Sequence, residues 1–295
     1  FGSLPLLMGV FYLYYTCDTL FYYLINYLGG LYLYISLILA FLIKMPMFLF
    51  HFWLPKAHVE APISGSMILA GVLLKLGGYG LIKIFFMCKF DFNFNYLIIS
   101  ISLIGMLISS FLCIFQIDMK CLIAFSSVCH MGMVICGIFS LNSLGWIGGL
   151  ILMLGHGFCS SGLFCLVNYM YTGSFSRSIF FNKGLIMIMP SFSLMFFILC
   201  SNNMSSPPSL NLMGELILII CLVSWIDFSM YFLMLCSFLS CCYSMFLYSI
   251  SQHGSLTCLV KGYLNCLCRD FFLFFLHMIP LNLLFLSVDI FMMFI

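Results

Sequence analysis

Long apolar runs, each near 20 residues, make up most of the chain, and short polar turns separate them. A run of this length crosses a bilayer as one α-helix, whereas the strands of a membrane barrel would appear as shorter alternating segments. We therefore predict an all-α polytopic membrane protein, a helix bundle that forms a single transmembrane domain over residues 1–295. The pattern predicts about nine spans, at 1–16, 31–59, 63–86, 96–115, 119–139, 145–170, 184–225, 228–250 and 270–294.

Two of these spans are interrupted by proline and polar residues. The first, 31–59, is expected to break near Pro46 and to stop around Pro55. The second, 184–225, is too long for one straight helix and is interrupted by SNNMSSPPS at 201–209. Because lipid cannot satisfy the backbone groups that a break exposes, both breaks must face protein or a water-filled cavity. Paired discontinuous helices of this kind favour a transporter built from two inverted repeats.

The composition excludes several classes of protein. With 65% hydrophobic and only 6% charged residues, the chain cannot cover the surface of a water-soluble domain. A net charge of +2 gives no reason to expect nucleic acid as a partner. The 16 cysteines lie mostly in apolar spans and never at C-x-x-C spacing, so we expect neither zinc nor an iron–sulfur cluster. No nucleotide-binding motif is present, and we expect no redox centre in this chain.

Two lysines lie inside consecutive apolar spans. Lys44 stands beside the first break, and Lys75 lies near the middle of the next span. A lysine at the centre of a spanning helix costs roughly 2.5–3.5 kcal/mol on insertion scales, so both need a reason. A buried lysine can alternate between charged and neutral forms, which is the property that a proton relay requires. The alternative is that each lysine reaches the membrane surface or forms a fixed pair.

Four further polar residues are candidates for the same path. Glu215 follows the second break, where a carboxylate beside water would accept protons, although it could instead cap or pair. His130 and His156 interrupt apolar spans and carry an imidazole, a group that in general can hand on protons in either direction, but each could equally be a hydrogen-bonded packing group. Lys120 lies near the start of a span, and an interfacial salt bridge with Asp118 is its alternative role.

A polar turn follows the first interrupted span. His51, His58 and Glu60 suggest a metal site at first sight, but the sequence contains no H-E-x-x-H and Pro55 interrupts the segment. We therefore expect no metal. Lys56, His58 and Glu60 are instead expected to form a polar turn that caps helix ends at the membrane surface.

Four motifs resemble one known family and occur in its order across nearly the whole chain. They are KMPMFLFHFWLPKAHVEAPISGSMILAGVLLKLGGYG (44–80), QIDMKCLIAFSSVCHMGMV (116–134), LMLGHGFCSSGLFCLVN (152–168) and PPSLNLMGEL (207–216). In these motifs the chain is similar to the antiporter-like, proton-translocating membrane subunits of NADH–ubiquinone oxidoreductase, respiratory complex I.

The resemblance implies a subunit of about fourteen helices with two inverted repeats, of which this chain lacks the amino-terminal third. The chain opens without methionine or a charged leader, and we accordingly expect it to begin within a longer protein. The family also has a glutamate that pairs with Lys44, and that residue would precede Phe1. The positions that match the family's proton relay are Lys44, Lys75, Lys120, His130, His156 and Glu215.

The resemblance also implies a location, partners and a function. The chain would conduct protons across the mitochondrial inner membrane and carry no cofactor, while other subunits bind NADH, FMN, iron–sulfur clusters and ubiquinone. Its partners would be other complex I membrane subunits, including neighbouring antiporter-like ones, and phospholipids such as cardiolipin. Two alternatives remain open at this point, namely a cation/proton antiporter of the same ancestry and a structural membrane spacer that does not conduct.

Overall fold

The computed structural model describes residues 2–19, 21, 23–25, 27–89, 93–255 and 266–292, and most of these residues are helical. Six described helices are long and apolar enough to cross a membrane, and three shorter apolar helices accompany them. The all-α class is thus confirmed. The count of about nine spans stays a prediction, and the predicted span ends at 1 and 293–294 lie outside the described residues.

The first part of the bundle ends with a long straight helix. Its helices are α1 (Ser3–Cys17), α2 (Leu31–Lys44), α3 (Trp53–Glu60), α4 (Ile63–Ile68), α5 (Leu74–Met87) and α6 (Asn93–Ile114), with a 3₁₀ turn at Phe48–Phe50 and a π-helical turn at Leu69–Leu73. The predicted loop at 17–30 also contains a short strand, Tyr27–Leu28, which pairs in parallel with Cys88–Lys89.

The second part contains the two most buried long helices, α7 and α8. Its helices are α7 (Met119–Phe139), α8 (Ser143–Ser174), α9 (Leu185–Ile188), α10 (Pro190–Asn203), α11 (Leu210–Trp225), α12 (Ser229–Gln252), α13 (Cys268–Leu283) and α14 (Asp289–Met292), with 3₁₀ turns at Ile179–Phe181 and Leu284–Ser287. The share of the apolar window buried inside the protein is 94% for α7 and 78% for α8, against 11–44% for the other four long helices. Helices α7 and α8 therefore form the centre of the bundle.

The first discontinuous helix has the predicted break but not the predicted end. Helix α2 ends at Lys44, just before Pro46, because the residue before a proline is driven out of the helical region. Helix α3 then begins at Trp53 and continues to Glu60. The expectation that this element stops around Pro55 is wrong, since a proline is tolerated in the first turn of a helix, where its missing N–H is not needed.

The second discontinuous helix breaks between Asn203 and Leu210. The hydroxyl of Ser209 caps the restarted helix by accepting a hydrogen bond from the Leu212 N–H at 3.3 Å. Glu215 consequently lies in the second turn of α11, close to the break and against the central helices.

Candidate functional site

Lys75 is held between its own helix and α8. It lies just after the π-helical turn Leu69–Leu73, a distortion that is frequent at functional sites because it alters the regular backbone hydrogen bonding. Its Nζ donates to the carbonyl oxygen of Ala70 and lies 2.9 Å from His156 Nδ1. The lysine therefore points into the bundle, toward a titratable partner.

His156 connects Lys75 to a second histidine. Its side chain is 1% exposed, and the centre of its ring lies 5.5 Å from that of His130 at an interplanar angle of 46°. The Nε2 atom of His156 has no hydrogen-bond partner among the described residues. Proton transfer between the two rings requires only a ring rotation or one bridging water, both of which are ordinary steps in a relay.

His130 then contacts the buried glutamate. Its Nδ1 lies 3.1 Å from Glu215 Oε1, and the two residues are 3% and 7% exposed. A carboxylate in such a dry site needs a partner, and the imidazole is the partner that it finds. Four helices thus place four titratable side chains next to one another in space. We call this row the buried line; it consists of Lys75 on α5, His156 on α8, His130 on α7 and Glu215 on α11.

Two residues next to the buried line were missed from the sequence. Tyr243 of α12 is fully buried, and its hydroxyl lies 3.2 Å from His130 Nε2; nothing in its SCCYS context distinguishes it from a packing residue. His58 is also fully buried, with its ring stacked on that of Phe164 at a centroid distance of 4.5 Å and an interplanar angle of 11°. Neither of its ring nitrogens has a hydrogen-bond partner within the described ranges. The expectation that His58 belongs to a surface turn is therefore wrong.

Lys120 lies away from the buried line. Its Nζ donates to the carbonyl oxygen of Ala61 at 3.4 Å, next to a hydrogen bond of 2.9 Å from Arg177 Nη1 to the carbonyl oxygen of Val59. Both cations therefore meet the carboxyl end of α3, where the helix dipole favours positive charge. The alternative of a salt bridge between Lys120 and Asp118 is wrong, because this lysine turns to Ala61 instead. Ten residues of α7 also separate Lys120 from His130, about 15 Å along the axis.

Lys44 lies at the carboxyl end of α2 and is exposed on the surface of the described chain. Its backbone approaches α5 closely, since a Cβ atom at Gly77 would lie 3.2 Å from Lys44 Cβ. Its Nζ lies 6.0 Å from the ring centre of Phe41, and no ion pair of Lys44 occurs within the described residues. The structure thus brings the helix of Lys44 to that of Lys75 without joining their ammonium groups.

A cavity of about 510 Å³ opens beside Lys75. The cavity is bordered by residues of α4, α5, α8 and α13, and its lining is largely apolar. Lys75 and His277 stand on its wall, so one end of the buried line has access to a space outside the helix core. Within the described ranges, no group of three histidine, cysteine or acidic residues could hold a metal ion.

Broken helices and a buried line of ionisable groups define a class of protein. Ionisable residues inside spanning helices mark ion or proton pathways, and discontinuous helices are the usual site elements of transporters. The sequence profile described as "NADH:quinone oxidoreductase/Mrp antiporter, TM" matches residues 1–243. The chain belongs to this family, as the motifs predicted.

Individual relatives agree with the family. NADH-ubiquinone oxidoreductase chain 4 of Ceratitis capitata is 53% identical over 291 residues, which cover 98% of this chain and 65% of that protein. The chain therefore spans about 65% of the length of this curated relative. This chain also matches a chain in the structure of respiratory complex I from Thermus thermophilus with bound NADH. The TM-score is 0.89 at 22% identity, and the match covers 99% of this chain and 66% of that one. A chain of the Mrp complex from Dietzia sp. DQ12-45-1b has a TM-score of 0.78 at 17% identity, covering 90% of this chain and 53% of that one. These two likenesses show the fold.

Proposed function

We propose that this chain is a proton-translocating membrane subunit of NADH–ubiquinone oxidoreductase. The observation that carries the proposal is the buried line, in which Lys75, His156, His130 and Glu215 follow one another across four helices. A structural spacer would have no use for such residues, because each adds an insertion cost without adding packing. The curated relatives named as chain 4 of this enzyme support the same assignment.

The chemistry of the line is proton exchange between neighbouring groups. A proton that leaves the Lys75 ammonium can pass to His156, from there to His130, and finally to Glu215, with each group returning to its starting form in turn. Entry lies on the side of the first discontinuous helix and exit lies near the second. Lys44 and Lys120 belong to the proposal through their motif positions only, since neither contacts the line.

The remaining parts of the assignment concern the whole assembly. The protein is a multi-pass protein of the mitochondrial inner membrane, and it forms a single proton-translocating domain with two inverted repeats. Its partners are other membrane subunits of the enzyme, including neighbouring antiporter-like ones, together with phospholipids such as cardiolipin. NADH, FMN, iron–sulfur clusters and ubiquinone are bound by other subunits, and quinone reduction there supplies the energy.

The test uses Lys75→Ala in the assembled enzyme, extracted in mild detergent and reconstituted in vesicles. Lys83→Ala is the matched control, because Lys83 lies on the same helix but packs over the Tyr79 ring, 5.2 Å away, outside the buried line. We expect Lys75→Ala to assemble and to lose most NADH-driven proton uptake, while Lys83→Ala keeps it. Proton uptake at the parental rate in Lys75→Ala would refute the proposal and favour the structural spacer.

A second candidate function is cation/proton antiport. The family profile favours it, because its description names the Mrp antiporter beside NADH:quinone oxidoreductase, and the TM-score of 0.78 to the Mrp complex shows that the fold is compatible with it. The discriminating measurement is proton flux driven by a sodium gradient in vesicles without NADH or quinone. Flux under these conditions that Lys75→Ala abolishes would establish the antiporter, whereas flux that appears only with NADH and quinone supports the first function.

A further inference from the structure

His130 is held at both of its ring nitrogens by groups from two different helices. Its Nδ1 lies 3.1 Å from Glu215 Oε1 on α11, and its Nε2 lies 3.2 Å from the hydroxyl of Tyr243 on α12. His156 differs, because its Nε2 has no hydrogen-bond partner in the part of the chain that the structure describes. Tyr243 is fully buried, so its hydroxyl has no access to bulk water and its contact with His130 is a fixed part of the site.

The hydrogen positions at His130 follow from the numbers of hydrogen-bond donors and acceptors on each group. A neutral imidazole has one N–H donor and one lone pair, whereas an ionised carboxylate only accepts. When Glu215 is ionised, the proton of His130 therefore lies on Nδ1 and donates to the carboxylate. The lone pair on Nε2 then accepts the O–H of Tyr243. The tyrosine thus selects the tautomer of His130 that faces the glutamate.

The same hydroxyl also suits the next state of the relay. When His156 passes a ring proton to His130, an N–H bond on His156 breaks and a new N–H bond forms at His130 Nε2. The tyrosine O–H rotates at the same time, so that its oxygen accepts. The N–H bond at Nδ1 then breaks and an O–H bond forms on Glu215 Oε1, which leaves neutral His130 protonated at Nε2. A hydroxyl can donate before this step and accept after it, and a phenylalanine ring can do neither.

We propose that Tyr243 is a positioning residue, which holds His130 toward Glu215 and supports its doubly protonated form during proton transfer. This inference rests on the proposed function and adds a residue outside the buried line to its machinery. The hydrogen bond to the charged imidazolium is charge-assisted and stronger than the bond to the neutral ring, so its removal acts mainly on the transfer intermediate.

The other titratable groups around His130 are distributed over several neighbouring helices. The side chains that face His130 or its partners from α11, α8, α5, α3, α12 and α6, together with the neighbour on its own helix, are Glu215, His156, Lys75, His58, Cys236, Cys113 and Cys129. Glu215 and Tyr243 are its direct hydrogen-bonding contacts among the described residues, and only the tyrosine can reverse its hydrogen bond without changing its charge.

The test is Tyr243→Phe in the assembled enzyme, with proton uptake by vesicles measured from about pH 6 to pH 9. Tyr248→Phe is the control, because it makes the same change on the same helix at a ring that packs edge-on against Phe197. We expect Tyr243→Phe to lower the rate per assembled complex by about tenfold near pH 7.5. The loss should shrink toward acid, where a higher proton supply compensates for the less stable intermediate. Tyr248→Phe should follow the parent at every pH.

Two results would overturn the inference. One is a Tyr243→Phe rate and pH profile equal to the parent's; the other is an equal loss at every pH, which a simple packing defect would give. If Tyr243→Phe does not accumulate in the assembled enzyme, Tyr243→Met replaces it, since methionine fills irregular apolar space.

Lys75→Ala in the same vesicles separates this inference from the proposed function. Full pumping in Lys75→Ala refutes the proposed function itself. Lost pumping in Lys75→Ala together with a parental profile in Tyr243→Phe refutes the role of Tyr243 alone.

Discussion

Helices α11 and α8 approach each other closely at Gly214, next to the buried line. A methyl group at this position would lie 2.8 Å from both the backbone nitrogen and the Cβ of Leu152 and 2.9 Å from its Cα. These are mainly backbone atoms of α8, which cannot rotate away as the end of a flexible side chain can. Gly214→Ala must therefore displace α11, and the next residue on that helix is Glu215.

The size of the displacement follows from the contact distances. Carbon atoms pack at about 3.5–4.0 Å, so α11 has to move by about 0.7 Å or rotate by an equivalent amount. The bond from His130 Nδ1 to Glu215 Oε1 is already 3.1 Å long, near the limit of about 3.2 Å for direct proton transfer. We expect the variant to pump about 10–100-fold more slowly and to lose about 1–3 kcal/mol of stability through overpacking.

The assay is NADH-driven proton uptake in vesicles, divided by the amount of assembled enzyme. Gly149→Ala is the matched control, since its new methyl would meet Ile138 and Val134 at 3.6 Å, an ordinary contact distance. Gly149→Ala should assemble and pump like the parent. If Gly214→Ala assembles and pumps within about twofold of the parent, a sub-ångström placement of Glu215 does not control the rate and this reasoning fails.

Three further predictions concern single sites. Glu215→Gln should assemble but stop proton uptake, because an amide keeps a hydrogen bond yet cannot take up the proton; uptake at the parental rate would contradict this. Burial raises the pKa of the Cys88 thiol to about 11, which leaves about a hundredfold less thiolate at pH 7.5 than an unperturbed thiol would have. Maleimide at this pH should therefore label the exposed Cys268 far faster than Cys88, and equal labelling rates would contradict the prediction. Tyr34→Phe removes the 2.6 Å hydrogen bond to buried Asn95 Oδ1 and should lower stability by about 1–2 kcal/mol, seen as a lower unfolding temperature of the enzyme; an unchanged temperature would show that water replaces the bond.

The sequence predicts the helices of this protein well because run length and proline position act locally. A helix needs about 20 apolar residues to cross the bilayer, and both interruptions contain the prolines that the pattern identifies. The π-helical turn at Leu69–Leu73 is different. It lies in a run with no proline, and its backbone geometry depends on packing against α8, so no local rule indicates it.

In the candidate site, too, the sequence identifies the unusual residues but not the contacts between them. Apolar context identifies Lys75, His130, His156 and Glu215 as unusual, since each costs energy where it stands. Their order in space is not local, because Lys75 and His156 are 81 residues apart in sequence. Tyr243 is missed altogether, since a tyrosine in an apolar helix is ordinary packing until its hydroxyl is seen to meet His130, 113 residues away.

The charges at the two ends of the buried line explain how such a path can exist inside an apolar bundle. Lys75 can be cationic and Glu215 anionic, so transfer of one proton along the line turns an ion pair into two neutral groups and leaves the net charge unchanged. A net buried charge would be costly in this environment, whereas exchange within a neutral line is not. Only uptake and release alter the net charge, and these steps need contact with water. At one end of the line the cavity of about 510 Å³ opens beside Lys75, and at the other end Glu215 lies close to the helix break.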